Sequence, residues 1–215
     1  MNDIFRKAGA EFLATLLFVF AIITAVTEAG QFAPIAIGFA LMVLVYSTGH
    51  ISGGHVNPAV SLGAWIRGAM TATEMVIYWV AQILGGVVGA LITRAIFSEA
   101  AEAAQIQTGP AFIVEAVFTF ILVWVVLNVA TSKDTDGNSF YGLAIGATVM
   151  TGAFAVGSIS GGGFNPAVAF GLSVNGNFDW ANLWIYIVAP LVGAALAAVA
   201  FRVLSPADYE HDLKA

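Results

Sequence analysis

The tetrapeptide Asn-Pro-Ala-Val occurs twice, as Asn57-Pro58-Ala59-Val60 and as Asn165-Pro166-Ala167-Val168. Each copy follows a glycine-rich turn, Ser52-Gly53-Gly54-His55 in the first case and Ser160-Gly161-Gly162-Gly163 in the second. The chemistry on offer is hydrogen bonding, because an asparagine amide carries two N–H donors and one carbonyl acceptor. Gly-rich backbone followed by Asn-Pro also reads as a helix start, with Asn as the cap and Pro at the first helical position. The helices so begun cover about 57–68 and 165–174. At ~1.5 Å per residue they reach roughly half a bilayer, which suits re-entrant half-helices. A single box of this kind fits an ordinary connecting loop. Two of them, 108 positions apart, do not, because the same offset also pairs Gly38 with Gly146, Ile51 with Ile159, Tyr78 with Tyr186 and Gly85 with Gly193. The chain is a doubled unit.

The composition says where such a unit resides. The 215 residues are 60% hydrophobic and 9% charged, with mean hydropathy +0.91. That is too little polar surface to cover a soluble globule. Six segments approach the roughly 20 apolar residues that cross a bilayer, at 8–29, 32–48, 72–97, 110–131, 140–156 and 182–204. All six are read as helices, since lipid admits only helices and closed barrels and no two-residue alternation is present. The first run is expected to remain as a span rather than be cleaved as a signal peptide. With no cysteine, disulfides, thiol catalysis and thiolate metal sites are excluded. The net charge of −6 mainly describes tails and loops, and no basic patch suggests nucleic acid. His50 and His55 flank the first Gly-Gly without a third ligand nearby, so no metal site is expected. No set of catalytic residues emerges, and no cofactor or enzymatic activity is expected.

Orientation follows from the basic residues. With a cytoplasmic N-terminus, Arg6, Lys7, Arg67, Lys133, Arg202 and Lys214 fall inside and only Arg94 falls outside. Three spans per repeat is an odd number, so the second copy enters from the opposite face and the repeats are inverted. One transmembrane domain over 1–215 is expected, with repeats at about 1–98 and 110–215 and an external connector at about 99–109. The expected fold is an all-α membrane protein with six transmembrane helices and two re-entrant half-helices. Inversion sets the two half-helix N-termini head to head, and their partial positive charges disfavour cations in the middle of a pore while sparing neutral solutes.

Two Asn-Pro-Ala boxes on inverted three-helix repeats resemble the aquaporin, or major intrinsic protein, family. The resemblance covers nearly the whole chain, including Ser52 to Val60 and the Trp184-Ile185-Tyr186-Ile187-Val188-Ala189-Pro190 run. It implies a passive channel for water and small uncharged solutes in each protomer of a homotetramer, placed here in the plasma (inner) membrane with both termini cytoplasmic. Pro58, Ala59, Pro166 and Ala167 complete the pore-centre boxes with Asn57 and Asn165. Glu11 and Glu115 open the first span of each half; a carboxylate so placed must be paired or face the pore, and the resemblance implies that both, with His55, support the re-entrant loops. Four positions counted from the boxes correspond to the family's outer constriction: Ile37, Ala153, Gly162 and Val168. The departure there is large. Most water-selective members carry an arginine at the position of Val168 and a bulky aromatic or histidine at that of Ile37 or Ala153, whereas this ring is wholly apolar. A wider outer mouth that also admits ammonia, hydrogen peroxide, urea or glycerol is the expectation. An inverted-repeat secondary transporter would also use broken helices, but it needs coupling groups that the spans largely lack.

Overall fold

A computed structural model describes residues 3–97 and 103–210. Lys214 and the connector positions 99–102 lie outside them. Six helices are long and apolar enough to span a bilayer. They are α1 (Asp3–Glu28), α2 (Ala33–Ser52), α4 (Ala72–Ile96), α5 (Thr108–Ala130), α6 (Tyr141–Ser160) and α8 (Leu183–Leu204). Two ten-residue helices, α3 (Pro58–Arg67) and α7 (Pro166–Asn175), interrupt the series at the two boxes, and a short α9 (Ala207–Glu210) follows α8.

The expected spans fall within a few residues of those observed. The largest shifts are at α1, whose amphipathic beginning extends to Asp3, and at the ends of α2 and α6, which run on to Ser52 and Ser160. Both of those ends stop because the next residue is a glycine in the left-handed region, Gly53 at φ 91° and Gly161 at φ 85°. That conformation costs glycine little and ends a helix by turning the chain away from its axis. A Thr71–Glu74 capping box starts α4.

The packing repeats itself. Helix α1 lies on α2 and α4, while α5 lies on α6 and α8; α2 packs on α6; and each half-helix lies against the last span of the other half, α3 on α8 and α7 on α4. Small residues set the closeness of the main crossings. A Cβ added at Gly85 would collide with the Phe12 carbonyl oxygen, and one at Gly193 with that of Ala116. The two positions are repeat partners, so α1–α4 and α5–α8 cross by the same device. Large apolar side chains such as Leu13, Phe39, Val80, Leu91, Ile113, Leu143 and Val199 face outward, as expected of a surface covered by lipid.

Candidate functional site: two opposed half-helices in one pore

Each loop that leads into a half-helix is held from behind by a buried carboxylate. Glu11 Oε1 accepts from the Ser52 hydroxyl (2.6 Å) and the His55 backbone N–H (2.9 Å), and Oε2 accepts from the Val56 N–H (2.7 Å) and Gln82 Nε2 (2.8 Å). Glu115 repeats the pattern with the Ser160 hydroxyl (2.6 Å), the Gly163 N–H (2.9 Å) and the Phe164 N–H (2.6 Å). A net hydrogen bond contributes about 0.5–1.5 kcal/mol, and with four at Glu11 and three at Glu115 each side chain is tied to its loop, as the family resemblance implied. Tyr78 and Tyr186 add one bond each, donating to the Ser52 and Ser160 carbonyls at 2.7 and 2.5 Å.

This support fixes a backbone that would otherwise be unfavourable. Val56 and Phe164 sit at φ 53° and 47°, in the left-handed region that β-branched and bulky side chains avoid. Such residues cost about 1–3 kcal/mol and persist where their surroundings over-determine them. Here the N–H of each is bound to a glutamate and the carbonyl of each is bound from across the pore. Asn57 Nδ2 donates to the Phe164 carbonyl (2.9 Å), and Asn165 Nδ2 donates to the Val56 carbonyl (2.8 Å).

The asparagines also cap their own helices. Asn57 Oδ1 accepts from the Ala59 N–H at 2.8 Å, and Asn165 Oδ1 accepts from the Ala167 and Val168 N–H groups at 3.0 and 3.4 Å. Because the oxygen faces backbone N–H groups, the amide orientation is determined by its partners. Each amide nitrogen keeps a second hydrogen beyond the one given to the opposite loop. The N-termini of α3 and α7 therefore meet, joined by two reciprocal bonds.

Both asparagines line one cavity of about 340 Å³. Its walls run from Ala104, Asn177 and Phe178 on the connector side to Ala130 and Tyr141 on the side of the chain termini. Ile37, Ala153, Gly162 and Val168 all border it. The structure thus brings the four counted positions to one passage, with no ionisable side chain among them. The rest of the wall is largely aliphatic, including Ile22, Leu41, Val60 and Val149. On the connector side the Ala104 N–H donates to the Asn177 carbonyl at 3.0 Å. A second cavity of about 510 Å³ adjoins the other end, and His50 borders it together with Lys133, Asp136 and Asn138.

His55 has two functions. Its N–H holds Glu11, while its ring, beside Tyr78, places Nδ1 3.0 Å from the Ser61 hydroxyl and borders the cavity. Ser61 and Gln82 are themselves 3.1 Å apart. Their repeat partners are Ala169 and Pro190, so only the first half has this polar backing. The asymmetry was readable from the 108-residue offset. The cross-pore bonds of the two asparagines were not, because nothing in a motif reveals which carbonyl faces it. A buried cluster at the terminus side was also invisible in the sequence. Arg67 donates to the carbonyls of Thr131 (3.3 Å) and Asp208 (3.4 Å) and lies over the Phe201 ring, while the Asp208 carboxylate accepts from the Lys133 N–H at 2.9 Å. Among the described residues no group of three or more His, Asp or Glu side chains is arranged to hold a metal.

Comparison with known proteins agrees with this architecture. The pattern described as major intrinsic protein matches residues 1–201. Aquaporin TIP1-1 of Arabidopsis thaliana is 39% identical over 220 residues, covering 94% of this chain and 87% of that protein. The glycerol uptake facilitator protein-like 6 of Lactiplantibacillus plantarum is 38% identical over 216 residues, covering 94% of this chain and 100% of that one. The X-ray structure of the aquaglyceroporin from Plasmodium falciparum superposes with a TM-score of 0.82 at 23% identity, over 95% of this chain and 98% of that chain. The last similarity speaks for the fold. The sequence matches place this multi-pass membrane protein in the major intrinsic protein family, whose members are passive channels for water and small solutes and not enzymes.

Proposed function

We propose that the cavity is a passive pore for water and for small neutral solutes, and that its ion exclusion resides where α3 and α7 meet. The carrying observation is the reciprocal pairing of Asn57 with the Phe164 carbonyl and of Asn165 with the Val56 carbonyl inside one apolar cavity. Two helix N-termini aimed at a single point place partial positive charge there, which opposes a cation. The second amide hydrogen of each asparagine can be donated to a passing oxygen. A water held by both would direct its own hydrogens up and down the pore rather than along a continuous donor chain.

Ile37, Ala153, Gly162 and Val168 act in this reading as the outer selecting ring. Relatives named as an aquaporin and as a glycerol facilitator are almost equally similar to the chain, so the ring decides what passes. Apolar and with two minimal members, it sorts by size and desolvation, and it favours ammonia, hydrogen peroxide and urea beside water. A coupled carrier is disfavoured because Glu11 and Glu115, the carboxylates inside the spans, have their oxygens committed to the loops. The protein is taken to be a homotetramer in the plasma (inner) membrane with both termini cytoplasmic. Stopped-flow shrinkage of proteoliposomes under water, glycerol, urea and ammonia gradients tests the reading. Fast, non-saturating flux of water and at least one small solute supports it. Saturation with exchange stimulation would indicate a carrier.

A further inference from the structure

The pore and the terminus-side cavity share three lining residues, Gly53, Ala130 and Tyr141. Of these only Tyr141, the first residue of α6, has a side chain that can hydrogen-bond. Its ring stands edge-on to Tyr46, with centroids 5.0 Å apart. Tyr46 is itself fixed, since its hydroxyl donates to the Ser139 carbonyl at 3.0 Å and accepts from the Leu143 N–H at 3.2 Å. The phenol also lies beside α2 at Gly49, where an added Cβ would lie 3.5 Å from both the ring and the hydroxyl oxygen. The hydroxyls of Tyr46, Tyr78 and Tyr186 are each bound to backbone. Among the described residues, no protein group bonds that of Tyr141. A half-buried phenol with an uncommitted donor and acceptor therefore stands where the two cavities join.

We infer that Tyr141 is a second solute-selecting residue, acting in series with the apolar outer ring. The inference rests on the channel reading above and locates part of its selectivity. The outer ring returns no hydrogen bond to a molecule that has shed water. At the inner neck the Tyr141 hydroxyl returns one, which favours strongly hydrated neutral solutes such as urea. The ring that carries it limits their cross-section. The hydroxyl and the ring thus act in opposite directions on the same solute.

The test compares urea and water permeability of proteoliposomes carrying the full chain, Tyr141→Phe, Tyr141→Ala or Gly49→Ala. Removal of the hydroxyl alone should lower the urea-to-water ratio about 2- to 10-fold, the range of one net hydrogen bond. Tyr141→Ala should raise the ratio above wild type by opening the neck. Gly49→Ala, with a methyl group in ordinary contact with the ring, should lower it; it decides with Tyr141→Phe if the Ala variant fails to fold. Lost structure would reduce both permeabilities together and would not move the ratio in opposite directions. Ratios equal to wild type in the folded variants overturn the inference. A wild type no more permeable to water than empty liposomes overturns the channel reading, and this inference with it.

Discussion

The Asn57 amide nitrogen and the Phe164 carbonyl oxygen are held 2.9 Å apart, so the first half-helix is tied to the loop that begins the second. Its mirror bond, from Asn165 to Val56, closes the pair. Asn165→Asp tests the electrostatic side of this arrangement. A carboxylate still caps α7 but cannot donate to the Val56 carbonyl, and it adds negative charge where two N-termini converge. The expected outcome is a folded channel, about 1–3 kcal/mol less stable because one buried acceptor loses its donor, with a measurable potassium leak. A cation conductance equal to wild type in that variant would remove Asn165 from the barrier.

Glu115→Gln should be more damaging to stability than its size suggests. The Ser160 hydroxyl and the Gly163 and Phe164 N–H groups all donate to this side chain, and an amide would turn a donor toward at least one of them. Leaving one buried donor without its acceptor costs about 1–3 kcal/mol. Thermal unfolding in detergent should show a marked fall in the midpoint, larger than for Tyr186→Phe, which removes one bond to the Ser160 carbonyl.

How much of this was legible beforehand depends on the kind of interaction. Hydrophobic runs fixed the six spans, and the Asn-Pro boxes fixed the half-helices to within a residue or so. Inversion followed from an odd number of spans per repeat. A carboxylate in that setting must be paired or face the pore, and it was the family resemblance that assigned Glu11 and Glu115 to the loops. The reciprocal Asn bonds, the left-handed Val56 and Phe164, and the Tyr141 neck depend on how distant segments face one another, which local pattern does not encode. The buried Arg67 and Asp208 were the least expected, since their neighbours in sequence resemble exposed loop and tail.

Val168→Arg should narrow selectivity. Val168, Ala153, Gly162 and Ile37 border the same passage, and an arginine there would fill space, offer several N–H donors and repel cations. In vesicles where the variant folds, urea and peroxide permeability should fall relative to water. An unchanged ratio would mean that these four residues do not form the selecting ring.

Asp208 supplies a pH-dependent contact outside the spans. Burial pushes its carboxyl up, but the Lys133 N–H, the Ser132 hydroxyl and the charges of Arg67 and Lys133 outweigh it and hold the carboxyl below its usual 3.8. A depressed value means that the contribution to stability is present above about 3.8 and is lost as pH falls through the lower folded value. Hydrogen exchange should find the Lys133 amide protected at neutral and mildly acidic pH, and losing protection only below about 3.8. Asp208→Asn should reduce that protection at pH 7, by about 10- to 100-fold for one hydrogen bond to a charged group. Equal protection in the variant would show that the carboxylate does not hold the loop.

The central claim is that one pore carries water and refuses ions because two helix N-termini meet in it. It is tested most directly by recording osmotic water flux and ionic current across the same reconstituted bilayer. The account predicts water permeability well above that of the protein-free bilayer, with no potassium or proton current that scales with the amount of protein. A proton or potassium current that rises in proportion to the water flux would contradict it.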